Sequence, residues 1–132
     1  VREDSENPVY YVQYAHARIC TLLKNLAADG HTVPAPETVD FSLLTDPTEL
    51  ALIKQIANYC DIVRLAARDY DPSFINRYLT DLAAAFHKFY NACRIKGEAE
   101  DLLNARLLLA DTARSVLKNG MELIGCSAPE KM

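Results

Sequence analysis

The apolar positions of this chain recur with a helical period. In the segment opened by Asn7-Pro8, Val9, Val12, His16, Ile19, Cys20, Leu23, Leu26 and Ala27 fall within roughly one third of a wheel drawn at about 100° per residue. Asn7 is placed to cap this helix, and Pro8 suits its first position. It runs to about Ala28 and stops before Asp29-Gly30. His31 to Thr45 reads as a loop, because Pro34 and Pro36 exclude regular helix. Asp46-Pro47-Thr48-Glu49 then spells a capping box, with Asp46 as cap and Glu49 reaching back. Leu50, Ile53, Ile56 and Ala57 continue that helix, which bends or restarts near Tyr59–Asp61 and carries on to about Asp69. Asp71-Pro72 opens a long helix to about Arg94, and Lys96-Gly97 breaks it. The last helix runs from about Glu98 to Lys118, with Asn119-Gly120 as its stop. A short turn, Met121 to Ile124, precedes the tail Cys126 to Met132.

No segment alternates in the manner of a strand, and nothing repeats at the periods of solenoid proteins. The expected fold is all-α: a single bundle of four to five helices over residues 1–132. The last helix is apolar on nearly every side, from Leu102 through Leu117, which predicts a central place in the bundle.

Composition agrees with one globular domain. The 132 residues are 50% hydrophobic and 24% charged, too apolar for disorder. The 14 basic and 18 acidic residues give a net charge of −4. That balance argues against a non-specific nucleic-acid coat, which needs a broad basic surface, but leaves room for a small basic patch. Cys20, Cys60, Cys93 and Cys126 form no C-x-x-C pair and lie in or beside apolar stretches, so buried free thiols in a cytoplasmic protein are expected. No run of 18 apolar residues exists, and no membrane partner is expected. The chain begins with Val1, which suggests a processed or excised piece.

The candidate chemistry lies off the apolar stripes. Tyr11, Tyr14 and Arg18 stand at i, i+3, i+7 on the side of the first helix away from its core face, with Tyr10, Thr21 and Asn25 nearby. Two readings are open. The rings cover another helix or loop, or they are stacking platforms beside a phosphate-binding cation, the pairing that suits unstacked RNA bases. His87, Tyr90 and Arg94 repeat the aromatic, aromatic, cation order on the flank of the later long helix. His16, centred on the apolar face, reads as a core histidine with a hydrogen-bond partner. Arg106 and Arg114 are open to RNA contact or to pairing with Asp111 and Glu122, and pairing is the expectation. There is no Gly-rich phosphate loop, no G-x-S-x-G and no H-E-x-x-H, so neither catalytic nor metal-binding residues are expected.

Several strings carry a resemblance. Asn7-Pro8-Val9-Tyr10-Tyr11-Val12-Gln13-Tyr14-Ala15-His16-Ala17-Arg18, Tyr78-Leu79-Thr80-Asp81-Leu82-Ala83, Phe86-His87-Lys88-Phe89-Tyr90-Asn91-Ala92-Cys93-Arg94, Gly120-Met121-Glu122-Leu123 and Ala128-Pro129-Glu130-Lys131-Met132 follow one another in order. Together they resemble the C-terminal anticodon-binding domain of bacterial arginyl-tRNA synthetase. The resemblance implies an α-helical bundle that grips the anticodon stem-loop of arginine tRNA, in a fragment that lacks the catalytic domain and does not aminoacylate. ATP and arginine would bind a separate catalytic domain of the same parent chain, leaving no cofactor here; no DNA partner is implied. Residue by residue, it assigns anticodon-loop contacts to Tyr11, Arg18, Tyr90 and Met132; Tyr14 and Arg94 are added from the wheel. Members of that family commonly carry Pro where this chain reads Tyr59-Cys60, so a softer bend is expected there. A helical protein-interaction or regulatory bundle, its tyrosines facing a protein partner, is the alternative.

Overall fold

A computed structural model describes residues 8–132; the Asn7 cap lies outside the described residues. Five α-helices follow in order: α1 (Pro8–Ala28), α2 (Pro47–Ala57), α3 (Tyr59–Asp69), α4 (Ser73–Ala92) and α5 (Glu100–Leu123). No strand occurs among the described residues. α4 packs against each of the other four helices, while α5 packs against α1, α2 and α4. The bundle is thus organised around α4. α5 is nonetheless deeply buried, with Leu107, Ala110, Ala113 and Leu117 fully enclosed.

The local signals act where the residues place them. Asp46 accepts the Thr48 N–H at 2.9 Å, and the Asp46 N–H donates to Glu49 Oε1 at 3.0 Å. This box satisfies helix-end amides that would otherwise be unpaired. The 31–45 connection holds two single 3-10 turns, Pro36–Thr38 and Phe41–Leu43, and no α-helix. α2 and α3 are parted by one residue. Asn58 keeps right-handed helical angles (φ −76°, ψ −9°), and its N–H still bonds back to Lys54 and Gln55. The bend is therefore a soft break, one residue before the place the sequence suggests. Tyr78 donates its hydroxyl to the Gln55 carbonyl beside this break and anchors it to α4.

The end of α5 differs from expectation. Asn119-Gly120 does not stop the helix, which continues to Leu123. Gly120 is buried, and a Cβ placed there would lie 2.5 Å from Leu79 Cδ2 of α4. The glycine serves close helix packing, and Met121 in the added turn is only 1% exposed. The actual stop is Gly125, at φ +78°, where the Cys126 N–H bonds the Met121 carbonyl at 2.8 Å. Gly30 ends α1 in the same left-handed conformation, as the sequence indicates.

Arg106 is a second correction. It pairs with neither Asp111 nor Glu122 but with Glu49, Nε to Oε2 at 2.7 Å, the side chains being 13% and 1% exposed. One carboxylate therefore caps α2 and neutralises a cation of α5. Arg106 also donates to the Arg94 carbonyl, fixing the chain beyond α4. Arg114 does pair with Asp111, at 2.9 Å. The thiols are all free but not all buried: Cys93 is buried, Cys20 and Cys126 are half-buried, and Cys60 is exposed.

Candidate nucleic-acid interface

α1 is held by α4 on one side and by α5 and the tail on another, so its buried stripe is wider than the wheel suggests. Ala15 and Ala17 are buried along with Val12, His16, Ile19 and Leu26, while Ala27 is exposed.

The first triplet and the two rings of the second form one cluster. The Tyr11 ring lies 5.7 Å from that of His87, and the Tyr14 ring 6.5 Å from it. The Arg18 guanidinium sits over the Tyr90 ring, 5.0 Å from its centroid. Buried Phe86 supports both α4 rings: it stacks on Tyr90 at 5.9 Å and 19°, and meets His87 edge-on at 63°. Tyr11 therefore has the covering role, one of the two readings of the sequence, without being fully enclosed. It covers α4 and also lines the open side.

The result is a groove of about 490 Å³, lined by Tyr10, Tyr11, Tyr14, Arg18, His87 and Asn91. Arg18 is the sole Lys, Arg, Asp or Glu among these lining residues. Burial pushes the His87 imidazole below its ordinary pKa, and the nearby Arg18 charge adds to this. A second cleft of about 220 Å³ shares Tyr14 and Arg18 and adds Ala17, Thr21 and Met132. Five of the six sequence-predicted residues thus lie in or directly beneath one continuous surface. Arg94 does not reach the ring cluster. Its guanidinium turns to Glu98, at 3.4 Å, and it lines a neighbouring cleft together with Tyr90 and Asn91.

Sequence reasoning did not assign His87 and Asn91 to the interface, although His87 stood in the second triplet. It also missed how Met132 gets there. Gln13 donates to the Ser127 carbonyl at 2.9 Å, and His16 Nδ1 lies 2.9 Å from the Pro129 carbonyl. No local signal announces partners more than 100 positions away in the chain. His16 is 2% exposed, and burial lowers its pKa against the opposing effect of the Pro129 hydrogen bond.

Among the described residues, no group of His, Cys, Asp and Glu is arranged to hold a metal ion, and no helix is long and apolar enough to cross a membrane. The fold and the groove define an all-α binding module with aromatic platforms around a single guanidinium. The family model of the DALR anticodon binding domain matches residues 12–132, and the chain belongs to this family. It is 48% identical to the arginine–tRNA ligase of Ruminiclostridium cellulolyticum and 46% identical to that of Acetivibrio thermocellus. Each match covers 100% of this chain and 23% of the relative. The arginyl-tRNA synthetase structure from Thermus thermophilus superposes with a TM-score of 0.83 at 31% identity, over 98% of this chain and 22% of that one. The chain thus spans about a quarter of the length of these relatives.

Proposed function

We propose that this domain grips the anticodon stem-loop of an arginine tRNA, as one module of a cytoplasmic arginine–tRNA ligase. The observation that carries this reading is the groove that Tyr11, Tyr14 and His87 line together with Arg18, whose guanidinium lies over the Tyr90 ring. Unstacked bases need flat apolar faces, and the backbone joining them needs a cation. Tyr14, 42% exposed, offers a free face. Arg18 meets a phosphate of the loop. Tyr90 acts from beneath by holding Arg18, and Met132 closes the far side. Arg94, turned outward beyond Tyr90, meets the backbone further along.

All arginine codons have G in the middle, so all arginine anticodons have C there. Stacking supplies about 1–3 kcal/mol per base but little discrimination. Reading that C therefore falls to backbone or side-chain hydrogen bonds on its Watson–Crick edge, and the Asn91 amide in the groove wall has the required donor and acceptor. Arginine activation with ATP belongs to the rest of the parent chain. With a net charge of −4, the isolated domain binds weakly and with steep salt dependence, and linkage to other tRNA contacts supplies the affinity of the whole.

The test is a titration with an arginine anticodon stem-loop and a copy with its middle base changed, at low and moderate salt. The cognate loop is expected to bind more tightly, and Tyr14→Ala to weaken it by about 5- to 150-fold, the value of one stacked base. Equal binding of both loops would reduce the interface to an electrostatic RNA contact. A folded domain that binds neither at low salt would favour the protein-partner alternative.

A further inference from the structure

The segment after α5 reaches the groove through α1. Its near end is fixed by the Cys126 N–H on the Met121 carbonyl, with Ile124, Cys126 and Ala128 packed on the core. Beyond that, two side chains of α1 take hold of its backbone. Gln13 Nε2 donates to the Ser127 carbonyl at 2.9 Å and lies 3.3 Å from Ser127 Oγ. His16, one helical turn on, meets the Pro129 carbonyl at 2.9 Å through Nδ1. A carbonyl only accepts, so Nδ1 carries the proton, and the tautomer of this buried ring is set. Cys20 Sγ lies beside the ring, 3.8 Å from Nδ1 and 3.9 Å from Nε2. The two grips fall on residues 127 and 129, and the next turn of α1 presents Ala17, Arg18 and Thr21, which share a cleft with Met132.

We propose that Gln13 and His16 are positioning residues that dock residues 127–132 along α1, so that Met132 forms one wall of the RNA interface beside Tyr14 and Arg18. This rests on the anticodon-binding reading for its functional half. Neither side chain enters the groove. Each acts through the backbone it holds.

Met121 and Met132 are the only methionines, so a 13C-methyl label on methionine gives two signals. Met121, 1% exposed, reports the core, and Met132 reports the docked segment. In the 132-residue chain, Gln13→Glu and His16→Leu are expected to abolish the Met132-to-Tyr14 proton contacts and move the Met132 signal to its unstructured position. The Met121 signal should stay. His16→Asn, which keeps an N–H near the place of Nδ1, should retain the contacts. Gln13→Glu changes a half-buried side chain and tests the proposal even where His16→Leu fails to fold. In the stem-loop titration, each donor-less variant should weaken binding by about 2- to 12-fold, the equivalent of one intramolecular hydrogen bond. Removing residues 131–132 from those variants should cost nothing more. Retained Met132 contacts in Gln13→Glu and in folded His16→Leu would overturn the proposal. Undocked Met132 with unchanged RNA affinity would overturn its functional half. A parent domain that binds no stem-loop would sink the anticodon reading and that half with it, while the methyl signals still decide the docking.

Discussion

The Arg18 guanidinium lies over the Tyr90 ring, 5.0 Å from its centroid, and so adds a charged contact between the two helices that build the groove. At an exposed site such a pair is worth about 0.5–1 kcal/mol. Its larger consequence is geometric. A long flexible side chain is held in one place on an exposed residue rich in N–H donors. If these meet a phosphate, Arg18→Ala should make the slope of log affinity against log salt shallower by about 0.7–0.9, the effect of one contact. Stem-loop titrations at four or five salt concentrations measure this. Weaker binding with an unchanged slope would mean that the guanidinium stacks on a base.

Two imidazoles tie stability to pH. His16 and His87 are both pushed below the ordinary histidine pKa, chiefly by burial, with Arg18 adding to the effect at His87. The unfolded chain takes up these protons as pH falls through about 6.5, whereas the folded chain resists them until lower pH. The unfolded state then binds more protons, so stability is full above that window and declines below it. Urea midpoints should therefore be lower at pH 5.5 than at pH 7.5, and the ring signals of His16 and His87 should titrate below 6.5. A His16 midpoint at or above 6.5 would mean that the Pro129 hydrogen bond outweighs burial and would refute the expected direction.

Gly120→Ala separates a packing glycine from a stop signal. In an exposed helix interior the change would stabilise by about 0.8–1 kcal/mol. Here the new Cβ would stand 2.5 Å from Leu79 Cδ2 and 3.2 Å from Cγ. Leu79 is 1% exposed and has little room to turn. The variant should lose about 1–3 kcal/mol, the usual cost of overpacking. Combined with Leu79→Ala, it should cost less than the two changes added together. Thermal melts of the four proteins decide, and a higher melting temperature for Gly120→Ala alone would refute the packing role.

The chain states its helices through local chemistry. Asp46 and Glu49 cap α2 with atoms a few residues apart, and Gly30 closes α1 in a conformation that glycine adopts at no steric cost. The order of its aromatic strings also marked the family, and the wheel brought Tyr11, Tyr14 and Arg18 to one side of α1. These features depend on spacing within one or two turns, which sequence displays directly. Tertiary structure decided what long-range partners control. Whether Gly120 or Gly125 ends α5 depended on Leu79 lying across from Gly120. Arg106 went to Glu49 and not to Asp111 or Glu122, because α2 packs on α5 where that carboxylate is buried. Only the packing of α1 on α4 set Tyr11 and Tyr14 beside His87 and Arg18 over Tyr90. Only the hydrogen bonds from Gln13 and His16, spanning over 100 residues, brought Met132 to the same surface. A helical period says which way a side chain points from its own axis, and the partner it meets there is fixed when the helices close on one another.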